Sequence, residues 1–262
     1  TRRLFLKQIP PEDALGENEL RINQALQGTA CFPAPRLLFT AAGAQGTLAG
    51  WEWAPGSDLR ERQAGALPRA FAELGRFHAV HRIAKPVCSP TTREPYPSVP
   101  SMLRAELALL TSGLEPAVIA GCAAAFRRLE AGYVTCIHGD FHPGNIRLTP
   151  AGPQFVDWGY ATTSLNLFDL SYVQCFVNRE SDAAEWWQIT PRESPAVLEA
   201  YFATCGMGDL EWQPLQWAVE VWTALYGYHN ARLREDAAGS ADSLGALAGL
   251  LENSRELALG AI

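Results

Sequence analysis

The sequence has no run of Lys and Arg, no Cys-x-x-Cys pair, no apolar stretch of about 18 residues and no internal repeat or low-complexity tract. Each absence argues against a class of protein. Nucleic-acid backbones are held by clustered cations, and this chain has a formal charge of −7 with no such cluster, so no nucleic-acid partner is expected. Lacking a long apolar run and a signal-type segment, it is expected neither to span a membrane nor to be exported. The six cysteines, Cys31, Cys88, Cys122, Cys136, Cys175 and Cys205, are scattered, several in apolar runs where a thiol serves as a small hydrophobe. That usage predicts a reduced, cytoplasmic protein. The chain begins at Thr1 and is expected to be trimmed.

What the chain does have is one dense stretch, CIHGDFHPGNI, from Cys136 to Ile146. Val134 to Ile137 form a β-prone run, Pro143 and Gly144 break it, and Ile146 to Leu148 can pair back. His138, Asp140, His142 and Asn145 therefore fall on a tight strand-loop-strand turn. Shortly after, QFVDWGYA places Asp157 at the end of another apolar run. Phosphoryl transfer from ATP needs a carboxylate to orient the attacking hydroxyl, and an amide oxygen and second carboxylate to hold Mg²⁺. Asp140, Asn145 and Asp157 are residues of those types in that order.

Asp-x-x-x-x-Asn followed by Asp-aromatic-Gly is the loop pattern of the kinase fold. With HGDFHPGN and VDWG, the chain resembles the aminoglycoside phosphotransferase and choline kinase-like family of small-molecule kinases, from the Lys7 strand to at least Asp169. The resemblance implies an α+β, two-lobed protein kinase-like fold. Residues 1–53 would form a small β-rich nucleotide-binding lobe lacking its first strands, since only six residues precede Lys7. Residues 54–58 would be the hinge and 59–262 a larger, mainly helical lobe.

The same resemblance implies ATP or GTP with Mg²⁺ as cofactors and a small hydroxylated acceptor. Asp140 would be the catalytic carboxylate, with His138 beside it in a supporting role, and Asn145 and Asp157 the metal ligands. Lys7 would touch the phosphates, held by Glu19, with Glu17 its rival. Backbone groups near Glu52 and Ala54 would meet the base edge. Asp169, embedded in an apolar run, would buttress the loop, because a buried carboxylate must be paired. His142 could approach a phosphate or pack the loop.

Elsewhere a helix is expected from about Glu12 to Gln27, ended by Gly28, and two strands, PAPRLLFT and TLAGWEW, joined through AAGAQG. From Leu67, apolar residues recur at helical spacing with His78 and His81 among them. One turn apart, these two could bind a metal, but a histidine in such a stripe is more often a hydrogen-bonded core residue. Further helices are expected near Ser101 to Leu110, where Ser101 looks like a cap, and from Leu114 to Glu130. The acids Glu180, Asp182 and Glu185 and the neighbouring Trp186 and Trp187 could meet a cationic acceptor, or simply begin a solvated helix. Two other readings stay open. HisGlyAspPheHis superficially suggests a metallohydrolase. Gly159, where many relatives carry an acid, and the segment before Leu167, which lacks the usual Gly and Pro, suit a pseudokinase that binds without turnover.

Overall fold

The structure is a computed structural model and describes residues 3–58, 65–84, 86–171, 173, 189, 192–207 and 212–259. Strand β1 (Leu4–Ile9), helix α1 (Ala14–Leu26) and the hairpin of β2 (Leu37–Gly43) and β3 (Gly46–Glu52) make a small N-terminal region. The sheet runs β1-β3-β2, antiparallel throughout, with Phe5 opposite Trp51 and Lys7 opposite Ala49. Alternation along the strands gives the sheet two faces. Ile9, Leu37, Ala49 and Trp51 close over Leu20 of α1 in a small core of their own. Leu4, Leu6, Phe39 and Leu48 remain exposed. Among the described residues β1 lies at one edge of this sheet and β2 at the other.

Local chemistry fixes these boundaries. The Asp13 carboxylate accepts the Gly16 N–H at 2.9 Å and caps α1, while Gly28, at φ +86°, follows its end. The β2–β3 hairpin is tighter than the AAGAQG connection suggested. Pairing continues through Gly43, leaving Ala44 and Gln45 as the turn. Gly46 makes this possible at φ +103°, where a Cβ would lie 2.1 Å from the Ile9 carbonyl oxygen.

The larger part begins with β4 (Ser57–Asp58) and α2 (Ala66–Val80), then β5 (Val87–Cys88), β6 (Pro95–Tyr96), α3 (Val99–Leu110) and α4 (Pro116–Leu129). Next come β7 (Val134–Ile137), β8 (Ile146–Thr149), β9 (Gly152–Phe155) and β10 (Thr162–Leu165). Helices α5 (Ser194–Phe202), α6 (Trp212–Leu233) and α7 (Ala237–Leu259) complete the chain. β7 pairs with β10, and β8 lies between β4 and β9. Leu67, Phe71, Leu74 and Phe77 of α2 enter one large core shared with α3 to α6. Ser98, not Ser101, is the cap of α3. Ser98 Oγ accepts the Ser101 N–H at 3.3 Å and Ser101 Oγ accepts the Ser98 N–H at 3.2 Å, a reciprocal capping box. Among the described residues no helix is long and apolar enough to cross a membrane.

One buried acid is poorly matched to its surroundings. Glu220 of α6 is 6% exposed, and neither carboxyl oxygen has a hydrogen bond of good geometry among the described residues. Burial against Leu170, Val173, Leu198 and Phe202 pushes its pKa up to about 9, only partly offset by the Gln216 side chain. Such a group supports the fold fully below its ordinary pKa of 4.5 and loses that support as pH rises through the folded value. Glu220→Gln is therefore expected to unfold in urea like the wild type at acidic pH. At pH 7 it is expected to be more stable by on the order of 3 kcal/mol, with a wider gap in mild alkali. A gap independent of pH would refute the buried-acid account.

Candidate active site

Every residue of β7 is buried. Thr135 of this strand donates its hydroxyl to the carbonyls of His78 (3.1 Å) and His81 (2.9 Å) on α2. The strand thus delivers His138 to a fixed place. Gly139 then turns the chain at φ +78°, where a Cβ would meet the Tyr160 carbonyl oxygen at 2.3 Å. Asp140 and Asn145 follow, with Phe141 between them, 1% exposed and edge-on to Phe71 and Phe155 at centroid distances of 5.1 and 4.7 Å. The loop is pinned to the core through this ring.

Polar contacts fix the rest of the loop. The Asn145 amide donates to the Asp140 carbonyl (2.9 Å) and to Asp140 Oδ2 (3.1 Å). Its own oxygen is therefore the end turned away from Asp140. His142 caps the Pro143–Asn145 turn, its Nδ1 accepting the Gly144 N–H at 3.0 Å, and its Nε2 lies 3.6 Å from Asp140 Oδ2. His138 is fully buried; its Nε2 faces the Val156 carbonyl at 2.9 Å and its Nδ1 faces the Asp140 N–H at 3.3 Å. A neutral ring protonated at Nε2 satisfies both. Burial lowers the His138 pKa, against the opposing charge of Asp169.

Asp169 lies beneath this loop. Its Oδ2 accepts the His138 N–H at 2.7 Å and its Oδ1 the Gly139 N–H at 2.8 Å. His78 Nε2 adds a third contact at 3.1 Å, and His78 Nδ1 meets the Tyr201 hydroxyl at 2.9 Å. His78 is thus a hydrogen-bonded core histidine, while His81 is directed to Thr29 instead, at 2.8 Å. Among the described residues no three His, Cys, Asp or Glu side chains are grouped to hold a metal, which leaves the metallohydrolase reading without a donor set there.

The second carboxylate, Asp157, follows β9 in the left-handed region at φ +63°, ψ +61°. Trp158 beside it is buried, donating Nε1–H to the Phe155 carbonyl at 2.9 Å and lying 4.6 Å from the His138 ring. Helix α1 clasps this turn from above. Asn18 donates to the carbonyls of Gly159 and Ala161, both at 2.9 Å. A Cβ on Gly159 would stand 3.2 Å from Leu15, so the close approach of α1 accounts for glycine at that position.

A cleft of about 420 Å³ lies between the small sheet and the β8–β9 hairpin. Lys7, Glu19, Glu52, Ala54, Asn145 and Asp157 all line it. Lys7 Nζ lies 2.8 Å from Glu19 Oε2, so Glu19 is the partner and Glu17 stays exposed in the first turn of α1. Burial pulls the Lys7 pKa down, but the Glu19 hydrogen bond and the charges of Glu19, Asp157 and Asp13 outweigh it, and the net shift is upward. Asp140 and His138 are not part of this lining. Asp140 joins the cleft through Asn145, and His138 stands behind the loop. Sequence reading missed Asn18, Phe5, Trp51 and Arg147; of these only Phe5 carried a signal, being on the same face of the strand as Lys7. The segment with Glu180, Asp182, Glu185, Trp186 and Trp187 lies outside the described residues.

Asp169→Asn should test the buttress, since an amide can place a donor against one of the two backbone N–H groups. Breaking a buried, charged contact of this kind is expected to cost about 2–4 kcal/mol in urea unfolding. Hydrogen exchange at His138 and Gly139 should accelerate more than in the α6–α7 pair; unchanged protection at both amides would remove Asp169 from this role.

The chain matches the Phosphotransferase enzyme family over residues 1–218. No curated protein matches it. Among solved structures, it is similar to a choline/ethanolamine kinase family protein from Mesorhizobium loti, at 17% identity and a TM-score of 0.63, covering 97% of this chain and 85% of that one. It is also similar to the GDP complex of aminoglycoside 2'-phosphotransferase-IIIa, at 12% identity and a TM-score of 0.58, covering 97% and 94%. A third is the macrolide 2'-phosphotransferase MphH from Brachybacterium faecium, at 18% identity and a TM-score of 0.58, covering 94% and 84%. These likenesses establish the two-lobed, kinase-like α+β fold. With the family matched over most of its length, the chain belongs to the Phosphotransferase enzyme family.

Proposed function

We propose that this chain is a small-molecule kinase that transfers the γ-phosphoryl group of ATP, or of GTP, to a hydroxyl of a small acceptor. The observation that carries this reading is the convergence of Lys7, Glu19, Asn145 and Asp157 on one cleft, with Asp140 hydrogen-bonded to Asn145 at its edge. The nucleotide would lie in that cleft, its base edge toward the backbone of Glu52 and Ala54 at the hinge and its phosphates toward Lys7. The GDP complex of the aminoglycoside 2'-phosphotransferase supports a nucleotide in the corresponding fold. Asn145 and Asp157 offer one amide oxygen and one carboxylate, a donor set that suits Mg²⁺, which keeps several waters and phosphate oxygens as its other ligands. Magnesium, when bound there, neutralises charge on the phosphates.

The chain's own residues do the rest. Lys7, kept protonated by Glu19, holds phosphate oxygens. Asn145 sets the Asp140 side chain, and His138 holds its backbone N–H. Asp140 orients the acceptor hydroxyl and takes its proton late, since an alkyl hydroxyl is too weak an acid to lose it first. The names of the similar structures, choline or ethanolamine and aminoglycoside kinases, together with the net charge of −7, favour a cationic amino-alcohol or amino-sugar acceptor over a polyanion.

Saturating MgATP is expected to raise the melting temperature, by about 2.7 kcal/mol of added stability at a hundredfold excess over Kd. Failure of both MgATP and MgGTP to do so would sink the proposal. Asp140→Asn should lower turnover by about 10²–10⁴-fold and leave the Kd for MgATP nearly unchanged. Nucleotide binding with no turnover against any cationic, neutral or anionic alcohol would instead make the protein a nucleotide-binding module.

A further inference from the structure

Arg93, in the connection between β5 and β6, sits in the left-handed backbone region at φ +64°. A long side chain adopts it rarely, and only where the surroundings fix it. Here they do. Glu106 of α3, 1% exposed, accepts the Ser89 hydroxyl, the Thr91 hydroxyl at 2.8 Å and the Thr91 N–H at 3.3 Å. The Ser89 carbonyl in turn accepts the Arg93 N–H at 2.9 Å. Ser164 of β10 donates its hydroxyl to the Cys88 carbonyl at 2.7 Å, so the connection is docked on β10 as well.

This anchoring holds a guanidinium beside the candidate active site. Arg93 Cζ lies 5.0 Å from the centroid of the Tyr160 ring. The Tyr160 carbonyl oxygen and Cβ stand 2.3 and 3.2 Å from where a Cβ on Gly139 would be, one residue before Asp140. Neither Arg93 nor Tyr160 lines the cleft that holds Lys7 and Asp157, and Tyr160 is 45% exposed. Among the described residues the Arg93 guanidinium has a ring beneath it but no hydrogen-bond acceptor and no ion-pair partner. A guanidinium stacked on a ring keeps its N–H edge open, and that planar fork matches a carboxylate through two parallel hydrogen bonds.

We propose that Arg93 binds a carboxylate carried by the phosphoryl acceptor, with Tyr160 as the platform that orients the guanidinium, an assignment that rests on the kinase reading of the site. One cation answers one negative charge. With Asp140 and Asp157 on the neighbouring loops and a net charge of −7, an acceptor with a second negative charge is disfavoured. The acceptor class is thereby narrowed to an alcohol with a single carboxylate. An amine on the same molecule is compatible with it, as in a hydroxylated amino acid.

The test needs no turnover. Glycolate, which has one hydroxyl and one carboxylate, is titrated into the full chain with MgADP present, and the NMR signals of the Arg93 side-chain N–H groups, identified by their loss in Arg93→Lys, are followed. A saturable shift with glycolate and none with ethylene glycol, which lacks the carboxylate, is the expected result. Tyr160→Leu should weaken glycolate about tenfold or more and Tyr160→Phe should retain it; this pair keeps the test decisive should an Arg93 variant fail to fold. No shift with glycolate, an equal shift with ethylene glycol, or tighter binding of inorganic phosphate would each overturn the assignment. In turnover with MgATP, serine should be preferred to ethanolamine and glucuronate to glucose, and Arg93→Ala should cut that preference about tenfold. A preference for the member without a carboxylate, or a loss in Arg93→Ala shared equally by both members of a pair, would also overturn it. A wild-type chain that does not bind MgADP would overturn the kinase reading itself, whereas a missing glycolate response in a chain that binds MgADP overturns only this inference.

Discussion

Asp169 places a carboxylate, 1% exposed, under the backbone N–H groups of His138 and Gly139. A buried charge persists only where hydrogen bonds replace its lost water, and His78 supplies a third contact from α2. The position of Asp140 follows from this. Gly139 must turn at positive φ, Asp140 must present its N–H to His138, and Asn145 must reach back to the Asp140 side chain. Each contact presupposes the one beneath it. Tyr201 of α5 and Asn166 extend the same network, with Asn166 donating to the Tyr201 hydroxyl at 2.8 Å. The conformation of this largely buried loop is thereby linked to the packing of α2 against α5.

The small region is tied to the larger part by apolar and polar contacts, with Ile22, Leu26 and Phe32 packed against the large core. Its five-residue core is separate from the large one, and α1 bridges the two. Asn18 holds the turn after Asp157, while the next residue, Glu19, holds Lys7. One helical step thus couples the lysine of the small sheet to the Asp157 turn of the larger part. Glu19 is 8% exposed, so removing Lys7 would leave a buried carboxylate without its partner, which costs more than the pair contributes when intact.

The loop, its two carboxylates and Asn145 were legible in the sequence because they are close along the chain and their spacing encodes their chemistry. The Lys7–Glu19 pair was legible only through the order of a strand and a helix, and Glu17 could not be dismissed until the helical phase of α1 was known. Ser101 drew attention as a cap, yet the true cap is Ser98, because a serine at the third helical position reaches back as readily as one at the start reaches forward. The hairpin turn was placed too broadly because Ala and Gly carry little strand propensity, although the ladder there is continued by register. Asn18 and Arg147 had no local signature at all. Their places depend on how α1 meets the Asp157 turn and how β4 meets β8, contacts between segments far apart in sequence.

Backbone strain gives a reading of Asp157 that does not depend on any motif. At φ +63° and ψ +61° it occupies the left-handed region, which aspartate tolerates better than most residues but at a cost of about 1–3 kcal/mol. The surroundings hold it there. Trp158 is anchored in the core by its hydrogen bond to the Phe155 carbonyl, and Asn18 fixes the two carbonyls that follow. A relaxed backbone at this position would need no such clasp on both sides. The left-handed backbone turns an exposed carboxylate into the cleft that Asn145 also lines, within the electrostatic reach of Lys7.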